Sequence, residues 1–213
     1  KNFFDFESDE VLIATGRIPS TTGMDLESAG IEIKGGYIVT DEYMRTSLPH
    51  VWALGDVTNP NQLKHTANAE ARVVSNNLTF PDRLTAVDLD PIPHAVFTNP
   101  QVASVGSTEQ ELQALSADYI VAIQEYSGIA YGWALEDSSS FCKLLADPLT
   151  GYLLGAHIVG PQASTLIHQL IQGMKFNSTV HELASDFLYI HPAMNEVIEN
   201  ALLKASNACA QAR

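Results

Sequence analysis

Near the C-terminal end of the sequence, His191-Pro192-Ala193-Met194-Asn195-Glu196 places an imidazole about one helical turn ahead of a carboxylate. Imidazole gives and takes protons near neutral pH. A carboxylate bonded to one ring nitrogen fixes the tautomer, so that the other nitrogen can pass a proton. The chemistry that such a pair suits is general acid–base catalysis. Proline has no N–H to leave unsatisfied and a preset φ, so Pro192 predicts a helix start with His191 as its cap. Met194, Val197, Ile198, Ala201, Leu202 and Ala205 then recur at helical spacing, a stripe bound for a core or an interface, with Glu196 off it. His-Pro ahead of a helix also serves simply as a start signal.

A second acid stands in a suggestive place. Val51-Trp52-Ala53-Leu54 reads as a buried strand that delivers Gly55-Asp56 at its carboxyl end, the edge where open α/β sheets bind ligands. Aspartate also ends strands with no ligand in view. Metal chemistry finds no support, since none of the seven histidines has ligand spacing with a cysteine or a carboxylate pair. Cys142 and Cys209, the two cysteines, are too far apart for a CxxC redox pair or a zinc knuckle. Cys142 falls in the strand-like run Ser140–Leu145 and reads as a buried structural thiol, whereas Cys209, in an Ala/Asn/Gln-rich tail, reads as exposed.

The elements that must hold these residues need a core. At 213 residues and 46% apolar content the chain can bury one in one or two domains. No stretch approaches the roughly 20 apolar residues of a membrane span, and the start lacks the order of a signal peptide, which points to a soluble, cytoplasmic protein. The net charge of −14 repels phosphate backbones and anionic lipid, so nucleic acid and membranes are poor partners. Small molecules or protein subunits are better ones.

Along the chain, Val11-Leu12-Ile13-Ala14 reads as a parallel-sheet strand ending in the turn Thr15–Pro19. Gly35-Gly36 predicts a hairpin between Ile31–Ile33 and Tyr37–Val39, and 65–78 reads as a helix. A polar linker follows. Beyond it the rhythm changes to strands at Ala95–Phe97, Val102–Val105, Tyr119–Tyr126, Ser140–Ala146 and Tyr152–Val159, with a capping box at Thr108–Glu111 and a helical stripe from Ala163 to Met174. Consecutive strands with tight turns predict an antiparallel sheet. The fold class expected is therefore α+β over 86–213, preceded by an incomplete α/β segment over 1–85.

Four segments, in this order, resemble the C-terminal half of the flavin-dependent pyridine nucleotide–disulfide oxidoreductases: Val11–Pro19, Ala53-Leu54-Gly55-Asp56-Val57, Ile92–Gly106 and His191–Glu196. The resemblance implies a part of an FAD-binding domain over 1–85 and a dimerisation domain over 86–213. It implies that Gly55 and Asp56 meet the ribityl chain of FAD. It further implies that Gln62, Leu63, Lys64 and His65 face the pyrimidine edge of the flavin at a helix N-terminus, whose positive end favours the reduced ring. His191 would protonate the leaving thiolate of a small disulfide bound across a homodimer interface, with Glu196 holding its ring. The stretches Ala130–Asp137 and Ile190–Leu202 are most similar to members that reduce a mycothione-like sugar disulfide with NADPH, and lipoamide-reducing members come second. The chain holds no GxGxxG loop and no redox cysteine pair, so the expectation is a part of an NAD(P)H-dependent enzyme, inactive and binding neither FAD nor NAD(P)H alone. A stand-alone dimerisation module is the non-catalytic alternative.

Overall fold

The computed structural model describes residues 4–212. They divide into two compact units, residues 4–88 and 89–212.

The second unit is built on a five-stranded antiparallel sheet of β3 (His94–Val96), β4 (Val102–Gly106), β5 (Ile120–Glu125), β6 (Phe141–Ala146) and β7 (Leu153–Val159), in the order β3-β4-β7-β6-β5. Register sorts the side chains into two faces. Ala103 pairs with Ile158, which pairs with Cys142, while Val105 pairs with Ala156, then Leu144, then Ala122. All of these are buried in one apolar cluster. The alternate row runs Ser104, His157, Lys143, Ile123 and is more polar, as the two-residue period of a pleated strand requires.

Helices α4 (Ala163–Lys175) and α6 (Glu196–Ala212) cover the apolar face, with α4 against β4 and β7 and α6 against β5 and β6. Leu166, Ile167 and Leu170 carry the α4 contact, and Val197, Ile198, Ala201, Leu202 and Ala205 carry that of α6. Short helices α2 (Glu109–Ala114), α3 (Ala130–Ala134) and α5 (Val180–Ser185) fill the connections. Thr108 with Glu111 and Thr179 with Glu182 form full capping boxes, each threonine accepting the third-residue amide and each glutamate reaching back to the cap amide. The antiparallel sheet and its helices are the α+β arrangement that the strand rhythm predicts.

In the first unit, β1 (Ile33–Lys34) and β2 (Tyr37–Ile38) form the expected hairpin. Its turn is Gly35-Gly36, at φ 60° and 87°, a left-handed pair that other residues adopt at a cost. A 3-10 turn spans Gly55–Val57, and α1 runs Lys64–Thr79. Two expectations fail here. Val11, Leu12 and Ile13 form no strand and are 80–90% exposed, and Val51–Leu54 contributes only an isolated bridge from Trp52 to Arg45. An apolar run becomes a strand only when another backbone takes its N–H and C=O groups, and none of the described residues does so for 11–14. Cys209 is also corrected, since it lies buried on the last turns of α6, its Sγ 3.7 Å from the Asp147 carbonyl oxygen. It continues the stripe one turn beyond Ala205.

Candidate functional site

The acid–base pair forms, but not as a helix cap. Residues 191–195 stay outside helical geometry, and α6 begins only at Glu196. The reason lies in the carboxylate. Glu196 Oε1 is 2.7 Å from His191 Nδ1, and Oε2 accepts the Ala193 amide at 3.1 Å, so one side chain closes a loop over both groups. With a carboxylate at Nδ1, that nitrogen carries the proton and Nε2 is left to exchange one. The imidazole is 70% exposed against 15% for Glu196, so the pair is anchored at the acid and offered at the ring. The hydrogen bond from His191 holds the Glu196 carboxyl below its ordinary range, and the Ala193 amide adds to this. At the foot of the loop, Met194 is buried with the α6 stripe.

The approach to His191 is the segment 186–190, between α5 and the pair. Tyr189 donates from its hydroxyl to the Leu183 carbonyl at 2.8 Å and accepts the Gln169 side-chain amide, while the Phe187 ring stacks on it with centroids 4.9 Å apart. None of these contacts is readable from sequence, because their spacings obey no local period.

The six other predicted residues lie in the first unit. Arg17 gathers two of them, its Nη1 donating to Asp56 Oδ2 at 3.1 Å and its Nη2 to the Gln62 carbonyl at 2.7 Å. Gly55 is held from the other side by the buried Glu70, whose Oε2 accepts the Gly55 amide at 2.5 Å while Oε1 accepts the Asn59 amide at 2.8 Å. Burial raises the Glu70 carboxyl pKa above its usual value, although the Gly55 and Asn59 hydrogen bonds oppose the shift. Leu63 is the N-cap residue of α1, and its side chain supplies no acceptor to the first turn. Lys64 and His65 are exposed on that turn. Arg17 and Glu70 are the residues that sequence reasoning missed. Among the described residues, no cluster of three or more His, Cys, Asp or Glu could hold a metal ion. No described helix is long and apolar enough to cross a membrane.

The chain joins a sheet with α4 and α6 on one face, a His–Glu pair ahead of the last helix, and an acid near the N-terminus of α1, and its class is that of the pyridine nucleotide-disulphide oxidoreductases. Residues 92–202 match the pyridine nucleotide-disulphide oxidoreductase dimerisation domain, and residues 4–72 match the pyridine nucleotide-disulphide oxidoreductase family. The chain belongs to that family. It is 49% identical over 200 residues to mycothione reductase from Mycobacterium tuberculosis, a match covering 92% of this chain and 44% of the relative. It is 35% identical over 196 residues to dihydrolipoyl dehydrogenase from Corynebacterium glutamicum, covering 91% of this chain and 42% of the relative. The crystal structure of LpdA from M. tuberculosis superposes with a TM-score of 0.80 at 27% identity, over 90% of this chain and 42% of that one. The HOCl-induced flavoprotein disulfide reductase RclA from Escherichia coli does so with a TM-score of 0.80 at 26% identity, over 89% and 44%. The chain thus spans less than half the length of each of these proteins.

The family depends on FAD and NAD(P)H. The residues present fit part of the flavin nucleotide: Asp56 is an exposed acceptor suited to hydroxyls, next to a helix N-terminus suited to an electron-rich ring edge. No glycine-rich phosphate loop occurs in the chain, so its residues fit the ribityl and ring portions and not the pyrophosphate.

Proposed function

We propose that this chain supplies the acid–base pair and the dimer interface of an NAD(P)H-dependent flavin disulfide oxidoreductase acting on a low-molecular-weight, mycothione-like disulfide. The observation that carries the reading is the 2.7 Å contact between His191 Nδ1 and Glu196 Oε1 on an exposed imidazole. When a thiolate attacks the substrate disulfide, one sulfur–sulfur bond forms, the substrate's own breaks, and a second thiolate leaves. Nε2–H of the imidazolium hands that sulfur its proton, and the neutral ring stays oriented by Glu196. FAD, when bound and reduced by NAD(P)H, would supply the two electrons that return the attacking sulfur to a thiolate and release the second half of the substrate as a thiol. Asp56 and Gly55 would hold its ribityl hydroxyls, and the first turn of α1, with Gln62, Leu63, Lys64 and His65, its ring edge.

Two features support a homodimer: the match to a dimerisation domain, and the exposed apolar side chains Phe187, Leu188 and Ile190 leading to His191. Buried thiols with no disulfide suit a reducing, cytoplasmic setting. Lipoamide is the second substrate reading, favoured by the 35% identity to dihydrolipoyl dehydrogenase.

The test is stopped-flow separation of the half-reactions in the full-length enzyme. His191→Ala should slow disulfide cleavage by roughly a hundred- to ten-thousandfold and leave flavin reduction by NAD(P)H nearly unchanged. Equal slowing of both steps, or none of turnover, overturns the assignment. A higher kcat/KM for mycothione than for lipoamide supports the first substrate, and the reverse order the second.

A further inference from the structure

His191 needs a fixed position, yet its local chain has little to fix it. From Ser185 to Pro192, every residue is exposed except Tyr189. Among the described residues, 187–192 take part in no backbone–backbone hydrogen bond; the bonds that reach them run through the side chains of Tyr189 and His191. Within one subunit, such a stretch is ordered by its side-chain anchors.

We infer that Tyr189 is a positioning residue for the acid–base pair, clamping the 186–190 segment between the C-terminus of α5 and the middle of α4 so that His191 is presented at a constant height. The inference rests on the reading of His191 as the proton carrier. Its first leg is the hydroxyl bond to Leu183, whose carbonyl lies in the last turn of α5, where helical carbonyls lack intrahelical partners. The second is the Gln169 amide, which reaches the phenol oxygen from α4, a helix seated on the core strands β4 and β7. Phe187, stacked on the Tyr189 ring, closes the turn of chain between them. Burial pushes the Tyr189 phenol up to about 12, so it remains a neutral donor at working pH. Two residues beyond the clamp comes His191, and three beyond that the buried Met194. The imidazole is therefore slung between two anchors, of which Glu196 is only one side.

A double-mutant cycle in the full-length FAD-loaded enzyme tests this, read on the disulfide-cleaving half-reaction with mycothione. Tyr189→Phe keeps the ring and its stack on Phe187 but removes the hydroxyl. Misplacement of a reacting group by about an ångström can cost on the order of a hundredfold, so a loosened segment should slow cleavage roughly ten- to a hundredfold while flavin reduction is unchanged. In the His191→Ala background the same substitution should change the rate by less than about twofold, because a positioning residue has nothing left to position. Gln169→Leu, which removes only the donor to the phenol oxygen, should give a smaller slowing with the same dependence on His191. Equal slowing in both backgrounds would mean that Tyr189 merely supports the fold, and an unchanged rate in both single variants would mean that the clamp is idle; either result overturns the inference. If His191→Ala itself leaves cleavage unchanged, the proposed function fails and the inference falls with it.

Discussion

Glu196 bonds its own chain in two directions, to the ring of His191 at 2.7 Å and to the amide of Ala193 at 3.1 Å, and so ties a proton carrier to the start of a helix with one side chain. Glu196→Gln keeps the size and one acceptor but loses the charge. We expect the disulfide half-reaction to slow by about tenfold, less than for His191→Ala, since the ring is disoriented and not deleted. A slowing equal to that of His191→Ala would assign Glu196 a larger role.

The pH dependence of stability should report the same bond. The Glu196 carboxyl is lowered, chiefly by His191, so its contribution is complete above the unfolded carboxyl value of about 4.3 and is lost as pH falls through the lower folded value. Thermal melts of the wild type and Glu196→Gln should differ at neutral pH and converge below about pH 4.

Glu70 predicts the opposite slope. Its carboxyl is raised by burial, so its contribution is complete below the unfolded value and is lost as pH rises through the folded one. Glu70→Gln forfeits one of two acceptor bonds, at about 1 kcal/mol, but escapes the ionisation cost. The wild type's advantage over Glu70→Gln should therefore shrink between acidic and neutral pH, and melts across that range decide it.

Both thiols should be silent in the native protein. Cys142 is fully buried, which pushes its thiol up to about 12, and Cys209 lies against the Asp147 carbonyl. A thiol reagent at pH about 8 should label neither until guanidinium unfolds the chain, and Cys142→Ser, which buries a hydroxyl without a partner, should cost about 1–3 kcal/mol. Fast native labelling at Cys142 would contradict the packing.

Gly155 sits where a side chain cannot. A Cβ there would lie 2.0 Å from the Ser107 carbonyl oxygen, and Ser107 in turn bonds the Leu154 carbonyl at 2.8 Å, so neither backbone can yield cheaply. Gly155→Ala should destabilise by about 3 kcal/mol, measured by denaturant titration.

Local periodicity made much of this legible in the sequence. The α6 stripe, both glycines of the hairpin turn and the Thr108–Glu111 box are signals confined to a few neighbouring residues, and each stands where its spacing puts it. The Thr179–Glu182 box carries the same signal, and so does the continuation of the α6 stripe to Cys209. Other features were beyond reach. Pro192 suits a helix start, but the two-way reach of Glu196 delays the helix to its own position, a tertiary contact overriding a propensity. Val11–Ala14 has the composition of a strand, but composition does not supply the partner. Tyr189 and Gln169 are twenty residues apart, and Glu70 lies fifteen beyond the glycine it holds. Such pairs are joined by the fold alone.

The strand order has a consequence for synthesis. Strands β3 and β4 form one hairpin layer and β5 and β6 another, and β7, the last of the five to leave the ribosome, pairs with both β4 and β6. Until Leu153–Val159 emerges, the nascent chain carries two ribbons with open inner edges, each able to capture a foreign strand. Chains that stall before Leu153–Val159 has left the ribosome should therefore aggregate or recruit chaperones, while those stalled once that strand has emerged have all five strands free to pair. That narrow window makes β7 the keystone of the domain.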